Sequence, residues 1–178
     1  MDAVERFAAE VAAFRQWVRD DSATGEQAVR DALFRITRLY LAALELPPAW
    51  SDELTDQPDA ERVGEDEWRA VFADAGRLPF DRYGEVFEPS IIPPQEPVIA
   101  SIADDIADIY RDVVSGLWAY QTGSKTQALW EWGFGFEQHW GKHATGAIRA
   151  LHCWLTTHSP SRLASDAESG APADRPQD

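Results

Sequence analysis

Cysteine is almost missing from this chain: one thiol, Cys153, stands among 178 residues. A single thiol excludes an intrachain disulfide and fits a reducing compartment. Basic side chains are also scarce. Sixteen Lys and Arg face 31 Asp and Glu, a formal net charge of -15. Such a surface repels phosphate backbones, so nonspecific binding to DNA or RNA is excluded as a role. No apolar run approaches the roughly 20 residues that span a bilayer. The opening "MDAVERFAAEVAAF" carries early acids and no uninterrupted apolar core, unlike a secretory signal. These absences lead to the expectation of a cytoplasmic protein with no nucleic-acid and no membrane partner. What the chain does have is a 44% hydrophobic composition with eight tryptophans, enough for the core of one domain.

Apolar residues recur at helical spacing in four long stretches. Val4, Phe7, Ala8, Val11, Phe14 and Val18 form the first stripe. Val29, Ala32, Leu33, Ile36, Leu39, Tyr40, Ala43 and Leu44 form the second, with Thr24 and Gln27 as a capping box and Pro47 and Pro48 as the stop. A Pro-rich connection follows, carrying one short helix in "EDEWRAVFADAG". Phe80, Tyr83 and Phe87 are expected to pin its loop to the helices, with at most a minor strand pair. Pro97 then suits the first turn of a third long helix, striped by Ile99, Ile102, Ile106, Ile109, Tyr110, Val113 and Leu117. The fourth runs from about 125 to 157. The expected fold is all-α: four long helices in a bundle, forming a single domain over residues 1–158, with a disordered tail over 159–178.

The fourth helix is apolar around most of its circumference, which predicts a central position. It also carries the histidines of "EQHWGKHATGAIRALHCW". His139 and His143, four apart, lie on one face, but Trp140 stands where the HExxH zinc motif needs its glutamate. His152 projects about 180° from His143. With no third ligand visible on this helix, His143 reads as a neutral core histidine bonded to another helix, and neither metal nor cofactor is expected. Cys153 reads as a small buried apolar residue.

On the third long helix, Asp104, Asp105 and Asp108 spell DDxxD, which resembles the aspartate-rich motif of the all-helical isoprenoid synthases. There the resemblance implies carboxylates holding magnesium, a hard ion that bridges to diphosphate. These aspartates avoid the isoleucine stripe, and no second motif of that kind appears. The competing expectation is a solvated face paired with groups such as Arg111 or Arg149.

"YGEVFEP", "IADDIADIYRDV" and "LWEWGFGFEQHWGKHATGAIRALH", in that order, resemble a bacterial family known as domain-of-unknown-function family 5063. "FAAEVAAFRQWV" and "LYLAALELPP" extend the likeness over nearly the whole chain except the tail. The resemblance implies an all-helical bacterial domain and supplies no activity. It directs attention to Asp104, Asp105, Asp108, Tyr110, Trp140, Gly141, His143, Arg149 and His152; with His139 the polar ones form the candidate cluster. Surplus aromatics, notably Trp118 and Trp130, favour interfaces. The leading expectation is therefore a non-enzymatic helical module that binds a protein partner or itself. The alternative is a magnesium-dependent enzyme acting on a phosphorylated small molecule through the aspartates. Inward convergence of these aspartates with another carboxylate would favour the enzyme; a broad apolar patch would favour the module.

Overall fold

A computed structural model describes residues 1–48 and 61–159. The described residues are mostly helical, with one small sheet. Helix α1 (Ala3–Val18) opens on a capping box: Glu5 N donates to Asp2 Oδ1 at 2.8 Å, and Asp2 N to Glu5 Oε2 at 3.1 Å. Its buried face is Phe7, Ala8, Val11, Phe14 and Val18. Helix α2 (Gly25–Leu44) buries Val29, Ala32, Ile36, Leu39 and Ala43. The box expected at its start does not form. Thr24 makes no side-chain cap bond, and Gln27 donates instead to Asp31 at 2.8 Å. Helix α3 (Glu65–Ala75) is the short helix of the connection and lies against α4.

Strands β1 (Arg82–Glu85) and β2 (Val98–Ser101) pair antiparallel, Tyr83 opposite Ala100. This pair displaces the start of the third long helix. Residues 98–101 are extended because β1 takes their backbone bonds, and Ile99 is 77% exposed rather than part of the core stripe. Helix α4 (Ile102–Gln121) begins at Ser101, whose Oγ accepts from Asp104 N at 3.2 Å and donates to Asp81 Oδ1 at 2.7 Å. It ends in a Schellman-type turn in which Gly123, at φ 92°, takes the left-handed position that glycine adopts without steric penalty.

The last helix is interrupted. Helix α5 (Lys125–Gly135) passes through a π-helical turn, Phe136–Trp140, into α6 (Gly141–His158). The extra residue needs Gly141: a Cβ there would meet the Phe136 carbonyl oxygen. Trp132, Trp140, Ala144, Ala147 and Leu151 are fully buried, so this helix does enter the core. Helix α4 is still more enclosed, with fourteen of its 20 residues buried. The two approach closely where Gly116 faces the Trp132 indole, whose Nε1 donates to Val113 O at 2.8 Å. The tail assigned to 159–178 lies, apart from Ser159, outside the described residues.

Candidate functional site

On α4, Asp105, Asp108 and Asp112 follow the three- and four-residue spacing that stacks side chains on one helix face. The tight turn at Gly123 sends α5 and α6 back antiparallel, so early positions of α4 meet late positions of the return helix. His143 Nδ1 donates to Asp105 Oδ1 at 2.8 Å, and its Nε2 lies 3.6 Å from Asp108 Oδ2. One turn earlier, in the π-helical segment, His139 Nδ1 donates to Asp112 Oδ2 at 2.8 Å. The two rings meet edge to face, 4.8 Å between centroids.

Further groups hold these aspartates in place. Tyr83 Oη, brought over from β1, donates to Asp105 Oδ2 at 2.7 Å. Trp68 Nε1 from α3 and Arg111 Nη2 donate to Asp108 Oδ1 at 2.9 and 2.5 Å. Tyr83 reaches so far because Gly146 leaves room on α6: a Cβ there would stand 2.6 Å from the Tyr83 hydroxyl. Among the described residues, no buried side-chain nitrogen or oxygen lacks a hydrogen-bond partner.

The solvated-face expectation for the aspartates fails in part. Asp105 and Asp108 are buried, at 4% and 8% exposure, and face the histidines. The ion pair with Arg111 is present, whereas Arg149 instead donates to Gly84 O at 3.0 Å, near Glu85. The missing third partner for the histidines is also supplied. It stands on α4, which helical arithmetic confined to the last helix does not reach: ligand atoms of Asp108, His139 and His143 lie within 4.8 Å of one another. His143 does bond to another helix, as expected.

Its environment raises the proton affinity of the ring. Burial pulls the imidazole pKa down, but the Asp105 hydrogen bond and the charges of Asp105, Asp108 and Asp104 together carry it above the ordinary value. Burial likewise pushes Asp105 up, against the pull of its bonds to His143 and Tyr83. Asp104 is raised by burial and by the neighbouring Asp108. Tyr83 is raised strongly, by burial first and then by the Asp105 charge, so its hydroxyl stays a donor.

A cleft of about 730 Å³ opens over this floor, between the β-hairpin and helices α4 and α6. Asp104, Asp105, His139 and His143 line it, with Arg82, Lys142 and Arg149 among its cations and Phe87 and Ile99 among its apolar residues. His139 also borders a second cavity of about 250 Å³ with Arg111, Asp112 and Glu131.

Other expected residues fall elsewhere. Tyr110 is buried away from the cleft, its hydroxyl donating to Glu67 at 2.7 Å. His152 is exposed and does not line it. Cys153 is exposed, not buried, because it too lies on the outer face of α6. Trp118 packs on the core, whereas Trp130 stacks on Phe134, which is 54% exposed. Gly141 accommodates the π-helical turn. The sequence reading missed Asp112 and the role of Tyr83. The spacing 105, 108, 112 was a signal for the first; nothing local reveals the second, which depends on the hairpin folding onto α6.

A family model described as Domain of unknown function (DUF5063) matches residues 1–157. No functionally curated protein matches the chain. Among solved structures, the crystal structure of protein BF1032 from Bacteroides fragilis is similar. The TM-score is 0.71 at 24% sequence identity, covering 90% of this chain and 95% of that one. At that identity the likeness speaks for the fold alone.

Proposed function

This chain belongs to the DUF5063 family, and we propose that it acts on a small polar molecule held in the cleft against the His139 and His143 imidazoles. One observation carries the reading: Asp105, Asp108 and Asp112 of α4 converge on the two histidines that line a cleft of about 730 Å³. That volume is in the range of small-molecule sites. Convergence inward, with Asp112 as the additional carboxylate, favours an enzyme over a solvated acidic face. Paired titratable groups shifted by burial and by a named charge partner in a cleft are candidates for a functional site. The cations on the wall suit an acidic group on the ligand, and Phe87 and Ile99 suit an apolar part. In the finer reading of α1, α2, α4 and α5–α6 as a four-helix bundle, the site lies between the third and fourth helices. The scarcity of cysteine supports a cytoplasmic setting.

The test is a screen of small carboxylates and phosphate esters by amide chemical-shift mapping on the full chain. Binders are expected to shift Tyr83, Lys142, His143 and Arg149 together, and to lose at least tenfold in affinity in Arg149→Ala and His143→Gln. Binders that ignore both substitutions, or a cleft that answers to no compound of either class, would refute the reading.

A second reading, the interaction module or homo-oligomer, is supported by the Trp130–Phe134 stack on the surface. Sedimentation across a concentration series distinguishes it. Self-association abolished by Phe134→Ser would favour it, and a monomer throughout would remove the homo-oligomer.

A further inference from the structure

We propose that Asp108, His139 and His143 form a binding site for a divalent transition-metal ion, of the zinc, iron(II) or manganese(II) class. The proposal goes beyond the ligand of the cleft and stands whether or not that ligand is found. It begins with geometry. One ligand atom from each of the three residues lies within 4.8 Å of the other two. An ion with ligands at about 2.0–2.2 Å needs them roughly 3–3.5 Å apart, so modest side-chain rotations close the site.

The choice of nitrogen is the second point. Both rings use Nδ1 toward a carboxylate of α4: His143 to Asp105 and His139 to Asp112, each at 2.8 Å. That leaves Nε2 of each ring as the atom available to an ion. Carboxylates bonded to the far nitrogen of an imidazole fix its tautomer and raise its basicity, which is how metal-ligating histidines are generally supported. An ordinary ion pair between two helices needs one such bond. Here there are two, one turn apart, and the third aspartate of the same stripe lies between them.

Asp108 is divided in the same way. Its Oδ1 accepts from Trp68 and Arg111, while its Oδ2 is turned toward His143 Nε2 at 3.6 Å. The supporting shell extends outward to Tyr83, which bonds Asp105. Two imidazoles and one carboxylate are a borderline donor set. It suits zinc, iron or manganese better than magnesium, which prefers oxygen alone. Two of the three ligands, His139 and His143, line the open cleft, so an ion held there would keep positions for water or a bound molecule, the pattern of reactive rather than structural ions.

The experiment uses the untagged full chain, stripped with chelator and titrated with cobalt(II) and zinc(II). Expected are one ion per chain by calorimetry, visible absorption bands of cobalt with nitrogen and oxygen ligands, and much weaker binding of magnesium. His139→Gln and Asp108→Asn should each weaken zinc at least tenfold. Asp112→Asn, which changes only the supporting carboxylate, should weaken it about 10- to 100-fold. His152→Gln should leave it unchanged. Because the His139 side chain is 43% exposed, its variant is expected to fold even if Asp108→Asn does not, and circular dichroism checks this. No stoichiometric binding, magnesium binding as tight as zinc, or zinc binding indifferent to His139→Gln would overturn the proposal.

Discussion

Replacing Gly116 by alanine drives a methyl group into the indole of Trp132. The added Cβ would stand 2.5 Å from Cδ1 and 3.0 Å from Cε2 of a side chain that is fully buried and has no room to swing away. Inserting a methyl into a packed core costs about 1–3 kcal/mol. The indole must shift, and its 2.8 Å bond to Val113 O goes with it. Leaving a buried donor and acceptor unpaired costs about another 1–3 kcal/mol. Alanine returns about 1 kcal/mol of helix propensity. The net loss is therefore about 3 kcal/mol, or about 6–12 °C in melting temperature for a domain of this size. Urea unfolding followed by far-UV circular dichroism and tryptophan fluorescence measures it. A double-mutant cycle isolates the cause. Trp132→Phe should cost less in the Gly116→Ala background than in the native chain, with a coupling of about 0.5–3 kcal/mol. Strict additivity, or a Gly116→Ala protein as stable as the native one, would refute the argument that this contact sets the spacing of α4 and α5, and with it the distance from the aspartates to the histidines.

Burial raises the Glu131 pKa above its ordinary value against the opposing charge of Arg62. A raised folded value means that its stabilising contribution is present below the unfolded pKa and is lost as pH rises through the folded one. Glu131→Gln should thus gain stability relative to the native chain between acid and neutral pH, and parallel melting curves across that range would contradict it. Tyr83→Phe removes the 2.7 Å donor to buried Asp105 and should cost about 1–3 kcal/mol in urea unfolding. Trp140→Ala should cost about 3–5 kcal/mol, since the ring is fully buried against Phe7 and Phe136. Phe134→Ser, on the exposed side of the Trp130 stack, should stay within about 0.5 kcal/mol by thermal melting of the monomer.

Helices α1, α2 and α3 were legible from local signals alone. A 3.6-residue apolar period, Pro47 and Pro48, and the Gly76 stop act within a turn or two of the residues concerned. Charge, the single thiol and the spacing of Asp105, Asp108 and Asp112 on one face of α4 are equally properties of the chain as written. Tertiary structure decided the rest. Residues 98–101 could have continued a helical stripe until β1 took their backbone bonds. The last helix looks continuous until Gly141 allows a π-helical turn. Above all, periodicity says which residues share a face but not what that face meets. The rotation of α4 against α5 and α6 is set by packing between residues far apart in the chain, such as Trp132 against Gly116 and Tyr83 over Gly146. Only that rotation turned the stripe of aspartates from solvent onto His139 and His143.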